Sequence, residues 1–283
     1  MRTAVVGHVE WVEFARVQRM PRSGEIVRAA EVWSEPAGGG GVASVQLGRL
    51  AGASTLFTAL GRDRLGERAF AGLTSLGVRV EARRHDEPQR RGFTFVDAAG
   101  ERTITIIGEK HVPRGADVLP WEELSEADAV YFVSGDAAAA RAARRAGVLV
   151  ATARVLPVLA EAGVELDALV RSGRDPDERY APGDLDPPPR LAVATGGADG
   201  GHWTTADGRS GTYDPQPLPG PLEDSYGAGD SFAAGLTYAL GRGEGVGDAV
   251  AFAAGCASAA LARRGAHGRR NAYAPVPSSR RRT

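Results

Sequence analysis

Short apolar runs alternate with helical stretches along most of the chain. TAVVG, residues 3–7, is an apolar run ending at Gly7 and suits a buried first strand. ADAVYFVSG, GVLVATA, LDALV and RLAVATGG repeat that character later in the chain. Helical segments separate most of them, AAAARAARRAG and VLPVLAEAG being the clearest. Nearer the N-terminus, AGGGGVASVQLGRLAG passes from four glycines into a helix with Val42, Val45 and Leu50 on or near one face. DRLGERAFAGLTSLG sets Leu65, Ala69, Leu73 and Leu76 at helical spacing. Strands alternating with helices in this way predict a parallel sheet covered by helices.

Three stretches break the alternation. Residues 8–36 mix alternating apolar positions with Pro21 and Gly24, which predicts exposed strands and a turn rather than a core helix. RGFTFVDAAGERTITIIG reads as a hairpin about DAAG, with polar residues on one face, and HWTTADGRSGTY as a second hairpin turning at Asp207-Gly208. The proline- and charge-rich RSGRDPDERYAPGDLDPPPR is expected at the surface, and the tail PVPSSRRRT is expected to be a solvated end. The expected whole is one α/β core with a small antiparallel elaboration from the N-terminal third.

Composition narrows the function classes without choosing one. The 283 residues are 43% hydrophobic and 24% charged with a net charge of −1, so nothing global points to nucleic acid or an acidic membrane. The positive charge is nearly all arginine, and Lys110 is the only lysine. Cys256 is the only cysteine, which excludes an intramolecular disulfide or a multi-cysteine metal site and suggests a buried, inert thiol. No apolar run is long enough for a signal peptide or a bilayer span, so a cytoplasmic location is expected.

Several motifs are missing. There is no G-x-x-x-x-G-K-[ST], no G-x-G-x-x-G after the first strand, no H-E-x-x-H and no G-x-S-x-G, and the five histidines lack ligand spacing. What remains is GAGD, residues 227–230, opening a helix. The backbone N–H groups there form a concavity for negative charge, aided by the helix dipole. Asp230 beside that hole could take a proton from a hydroxyl attacking phosphorus, an arrangement suited to phosphoryl transfer. The competing reading is that Asp230 simply caps the helix.

DSYGAGDSFAAGL resembles the C-terminal signature D-T-x-G-A-G-D of the ribokinase-like (PfkB) carbohydrate kinases. AGGGGVASVQLGRLAG followed by ALGRDRLGE resembles that family's N-terminal glycine signature, and GVLVATA, LAVATGGADGG and CASAALARRGAHG fall in the family's order. The resemblance spans nearly the whole chain. It implies a ribokinase-like three-layer sandwich, a single domain over 1–283, with a mostly parallel central sheet flanked by helices. A small β-sheet lid would come from segments near 9–34 and 91–107, closing over the acceptor to exclude water. It further implies an ATP-dependent kinase acting on a hydroxyl of a small sugar or sugar-like molecule, with Mg2+ and in some members K+. Asp230 then matches the base, and the N–H groups of Gly227, Ala228 and Gly229 the anion hole. Thr195, Gly197 and Gly200 match a segment lining the nucleotide phosphates, and Gly265 and Ala266 a loop near the nucleotide. Gly38, Gly39 and Gly40 match backbone lining the acceptor. Asp224 matches the aspartate that organises a monovalent-cation site. Some members pair their lids between subunits, so a homodimer through the lid is a further expectation.

The sequence departs from the family mainly on the acceptor side. Where the sugar kinases carry Asn-x-Asp and a glycine-signature asparagine, this chain has Glu10, Val12 and Ala43. Glu10, Glu13 and His8 are the candidate replacements, Trp11 could stack or pack, and Arg91 and Arg102 could meet an acidic acceptor or lie on a solvated strand face. The N-x-x-E that acts through magnesium's water shell aligns with Arg174 and Asp177, with a slip of one residue left open. A nucleoside kinase, or a nucleotide or sugar sensor that retained the fold without catalysis, are the alternatives.

Overall fold

The computed structural model describes residues 1–268; the tail at 275–283 lies outside them. Strands that are buried along their whole length lie in the interior of a sheet, and here β1 (Thr3–Val6) sits between two parallel neighbours. It is followed by β2 (Glu10–Arg16), β3 (Glu31–Ala37), α1 (Gly38–Ala51), β4 (Ser54–Gly61), α2 (Arg64–Ser75) and β5 (Val78–His85). The pair β6 (Arg91–Val96) and β7 (Arg102–Ile107) precedes β8 (Ala129–Phe132), α3 (Ala137–Ala143), β9 (Val148–Thr152), α4 (Leu156–Ala162) and β10 (Ala168–Ser172). β11 (Leu191–Thr195), the hairpin β12 (Gly201–Thr205) and β13 (Ser210–Tyr213), α5 (Ala228–Gly241) and α6 (Val246–Leu261) complete the described chain.

Nine strands form the main sheet in the order β13-β12-β11-β10-β9-β8-β1-β4-β5. All neighbours from β11 to β5 are parallel, and the hairpin β12–β13 adds the antiparallel edge. α1, α2, α5 and α6 cover one face around Leu47, Leu73, Phe232 and Leu236. α3 and α4 cover the other around Phe57, Phe132, Leu149 and Leu159. This is the ribokinase-like layered fold expected above. β4 and β5 are additional to the apolar runs quoted there. Small residues let α5 and α6 pack closely: a Cβ on Gly235 would lie 2.9 Å from Cys256 Sγ, so the lone thiol is a buried packing atom.

The second sheet runs β3-β2-β6-β7. It is mixed rather than antiparallel, because β2 and β6 lie parallel. Nor is it exposed throughout. β2 is largely buried: Val12 and Phe14 pack with Trp33, Val96 and Tyr226, while Trp11 faces the main core with the Arg68 guanidinium 4.3 Å from its ring centroid. Only β7 is exposed along its length. Phe14 stacks on Trp33 at 4.8 Å and meets Tyr226 edge-on at 5.1 Å, which fastens this sheet over the start of α5.

Glycine at the start of α1 brings that helix against the end of β1. Gly40 N–H donates to the His8 carbonyl at 3.0 Å, and a Cβ on Gly40 would come within 2.7 Å of that same oxygen and 2.8 Å of the Gly7 carbonyl carbon. Gly40→Ala is therefore expected to push α1 off β1 and lower stability by about 1–3 kcal/mol, read from urea unfolding midpoints.

Candidate active site

Parallel strands carry ligands beyond their carboxyl ends, and the residues of interest gather there. His8 follows β1, Ser134 follows β8, Arg154 follows β9, Glu178 follows β10, and Thr195 ends β11. α1 and α5 start at the same edge. Two shallow surface hollows, one lined by Asp167 and Arg190 and one by Tyr180 and Pro188, lie elsewhere and lack the cleft's charged cluster.

Gly227 takes the left-handed conformation, φ 75°, as the residue before α5, and a Cβ there would also lie 2.9 Å from Val42. No side chain caps this helix end, so Asp230 is not a cap. A Cβ on Gly229 would meet nothing within 4 Å, so the first turn of α5 opens onto free space. Asp230 sits in that turn facing α1: a Cβ on Gly39 would be 3.0 Å from its Oδ1. Burial pushes the Asp230 carboxyl up to about 6, with Arg154 opposing the rise and Glu178 and Glu10 adding to it. Gly38, Gly39 and Gly40 are buried and line the gap between Glu10, His8 and Asp230, where any side chain would intrude.

Two groups flank Asp230. On one side, Arg154 Nε contacts Glu178 at 2.6 Å and its NH2 group contacts Asp175 at 2.7 Å, while Glu178 accepts from the Ser172 N–H at 2.6 Å. Asp177 is exposed one residue away, so the structure brings Glu178 rather than Asp177 into this cluster. Asp175 and Glu178 thereby carry the x-x spacing that Arg174 and Asp177 had in the sequence alignment. Arg174 instead pairs with Asp199 at the surface, at 2.5 Å. On the other side lies Glu10, buried on β2, 2.9 Å from Arg90 Nε and 3.8 Å from His8 Nε2. Burial raises the Glu10 carboxyl, opposed by Arg90 and Lys110. His8 Nδ1 is 3.0 Å from Ser134 Oγ, and burial, followed by Lys110, Arg90 and Arg154, holds the imidazole down to about 3, hence neutral.

Other expected residues separate into neighbours and outliers. Asp224 is fully buried and accepts from the Tyr226 N–H at 2.9 Å and the Gly265 N–H at 2.5 Å, tying together the two glycine loops. Ala266 N–H donates to Glu35 at 2.7 Å, and burial pushes the Glu35 carboxyl up to about 7. Among the described residues no group of three or more His, Cys, Asp or Glu side chains is placed to hold a metal ion. Thr195 donates to the Arg171 carbonyl at 3.3 Å, and Gly197, φ 64°, turns the chain beyond it. Gly200, φ 73°, is required by packing, since a Cβ would lie 2.1 Å from the Tyr213 carbonyl oxygen. Val12 and Ala43 are buried in core packing. Glu13 and Arg91 pair with each other at 3.2 Å, and Arg102 reaches the Ser225 carbonyl at 2.7 Å, latching β7 to the turn before α5. Arg90, Arg154, Glu178, Glu35 and Tyr226 carry no sequence signal of their own. Lys110 does, as the single lysine.

The pfkB family carbohydrate kinase model matches residues 2–171 and 185–270, and the chain belongs to that family. Its fold is shared with the ribokinase of Thermotoga maritima at a TM-score of 0.75 and 20% identity, covering 94% of each chain. The adenosine kinase of Sinorhizobium meliloti is similar at 0.74 and 17%, covering 93% of this chain and 94% of that one. A ribokinase of Arabidopsis thaliana, solved with ribose and ATP, is similar at 0.69 and 17%, covering 94% of this chain and 96% of that one. No curated protein sequence matches at a significant level. No described helix is long and apolar enough to cross a membrane.

Ionising Asp230 in place is costly, and that cost falls on the folded state alone. It is present above about pH 6 and absent once the carboxyl is protonated both folded and unfolded, below its ordinary value of 3.8. Asp230→Asn is therefore expected to be the more stable protein at pH 8, by about 1 kcal/mol after screening at the open side of the cleft. That advantage should vanish near pH 3.5, in urea titrations at the two values.

Proposed function

We propose that the protein transfers the γ-phosphoryl group of ATP to a hydroxyl of a small sugar or sugar-like acceptor, with Asp230 as the base. The observation that carries this is a carboxyl held near pH 6 in the first turn of α5, beside an uncapped, open helix N-terminus. A sensor needs an anion hole but has little use for a carboxylate aimed into it. A transferase needs both, because the attacking hydroxyl must lose its proton as charge gathers on the phosphoryl oxygens.

The N–H groups of Gly227, Ala228 and Gly229 hold the transferring phosphoryl group in this scheme. Thr195, Gly197 and the Gly265–Ala266 loop border the nucleotide. ATP supplies the phosphoryl group, and the free space before Gly229 fits its entry. Magnesium keeps most of its waters and takes few carboxylates, so Glu178, within electrostatic reach of Asp230, fits that role where the exposed Asp177 does not. Asp224 has both oxygens engaged by backbone N–H groups, so its part in a K+ site would be to brace the two loops whose carbonyls offer ligands. Arg154 stays charged and keeps Asp230 ionisable near neutrality.

Asp230→Asn should cut turnover by about 10²–10⁴-fold while the protein stays folded. The wild-type kcat/KM is expected to rise about tenfold per pH unit up to about 6 and level off above it, since only the ionised carboxylate accepts the proton. ADP release across a panel of sugars, polyols and nucleosides checks both. A variant with near-normal turnover overturns the role of Asp230, and nucleotide binding without ADP release on any acceptor favours a sensor.

A further inference from the structure

β3 is an outer strand of the small sheet, and the face it shares with Val12 and Phe14 grips the segment 264–267. Residues 31, 33 and 35 alternate onto that face. Glu31 pairs with the Arg264 guanidinium at 2.6 Å, and the same guanidinium lies 4.0 Å from the Trp33 ring centroid. Glu35 Oε1 accepts from the Ala266 N–H at 2.7 Å and from the Trp33 indole N–H at 3.4 Å. The Pro36 carbonyl is 2.6 Å from His267 Nε2. Gly265 has φ 64°, and a Cβ there would collide with Glu35, so glycine at 265 leaves room for the carboxyl.

These contacts belong to a closed ring. The Gly265 N–H donates to Asp224 at 2.5 Å, and Asp224 also accepts from the Tyr226 N–H at 2.9 Å. The Tyr226 hydroxyl in turn accepts from the Gly38 N–H at 3.3 Å, and Gly38 opens α1 shortly after Glu35. Two routes therefore run from the Gly265–Ala266 loop to the first turn of α1. The route through Glu35 uses the shorter bond, made to a carboxyl, and is the stronger; the other ends on a neutral hydroxyl. Packing alone does not account for Glu35. It is buried beside Trp33, where an apolar side chain would avoid the cost of taking a carboxyl out of water, and Arg264 is occupied by Glu31 and Trp33. What the carboxyl adds is an acceptor for the Ala266 N–H.

We infer that Glu35 is a positioning residue that couples the Gly265–Ala266 loop to the first turn of α1, so that a nucleotide at the loop sets the acceptor side of the cleft. This deepens the phosphoryl-transfer reading and rests on it, because that reading places the nucleotide at the loop and the acceptor beside Gly38, Gly39 and Gly40. Coupling between sites travels through contiguous hydrogen bonds and rigid elements. A nucleotide that fixes the loop fixes the Ala266 N–H, and with it Glu35 and the strand that runs into α1. Removing the carboxyl leaves both sites standing and cuts the stronger link between them.

The test uses the full chain with ADP as the probe. Amide hydrogen exchange over residues 38–44 is followed with and without saturating ADP, with saturation checked for each variant by calorimetry. In the wild type ADP is expected to slow exchange there by about fivefold or more. Glu35→Met, close in length but without an acceptor, should lose most of that response, Glu35→Gln should retain it, and Tyr226→Phe should lose little. If Glu35→Met does not fold, Glu35→Ala replaces it, since water can then reach the Ala266 N–H. A merely structural Glu35 would lower the urea midpoint on substitution and leave the response to ADP intact. No response in the wild type, a response that survives loss of the acceptor, or one lost equally in Glu35→Gln would each overturn the inference. ADP release across sugars, polyols and nucleosides keeps the two failures apart. Turnover together with a response that survives Glu35→Met sinks the coupling alone. A coupled response without turnover on any acceptor sinks the kinase reading alone, and no binding of ADP sinks both.

Discussion

Two helix N-termini open into one space, and much of the site follows from that. α1 and α5 both begin beside Asp230, each without a side-chain cap. Each contributes partial positive charge from unpaired N–H groups, worth up to about 2 kcal/mol to an anion in a partly buried setting. Like ends repel, so the arrangement needs negative charge between them. Asp230 provides some of it when ionised, and the Tyr226 hydroxyl oxygen accepts from the Gly38 N–H at 3.3 Å. Side chains on the first turn of α1 would intrude on the gap, which accounts for glycine at 38 and 39, while Gly227 is required by its left-handed backbone and by Val42.

The same region ties the small sheet to the chemistry. Tyr226 belongs to the turn before α5, yet its ring packs among lid residues and its hydroxyl reaches α1. Arg16 reaches Glu223 at 3.1 Å and Arg102 reaches Ser225, so β2 and β7 are held to the segment that leads into α5. Displacement of the small sheet would therefore disturb Tyr226 and, through it, the first turns of both helices. Under the proposed phosphoryl transfer, closure over an acceptor and shaping of the α5 N-terminus would be mechanically coupled.

The layered α/β core was legible because buried parallel strands are written as apolar runs between helices, and TAVVG, GVLVATA and RLAVATGG each became such a strand. The small sheet was harder. Its alternation is visible, but whether a strand at 10–16 is exposed depends on Trp33 and Tyr226 meeting Phe14 from elsewhere in the chain. In the site, GAGD could be read locally because its conformation demands glycine. Glu178 could not, since two neighbouring acids look equivalent in sequence and only the backbone of the short turn decides which one is buried. Arg90 and Arg154 are hidden among many arginines, and only their approach to Glu10 and Glu178 distinguishes them.

Charge in the cleft is arranged in opposed pairs. Arg154 with Glu178 sits on the side where strands β9, β10 and β11 end and where the phosphates of a nucleotide would lie. Arg90 with Glu10 sits on the side formed by β2 and β6. Asp230 lies between two carboxylates and is pushed up by both, while Arg154 alone among the nearby main-sheet groups draws it down. A carboxyl left to burial alone would stay protonated, and one fully paired would be too weak a base. Its position near 6 reflects a compromise between the two, set by a cation that is itself held by Asp175 and Glu178.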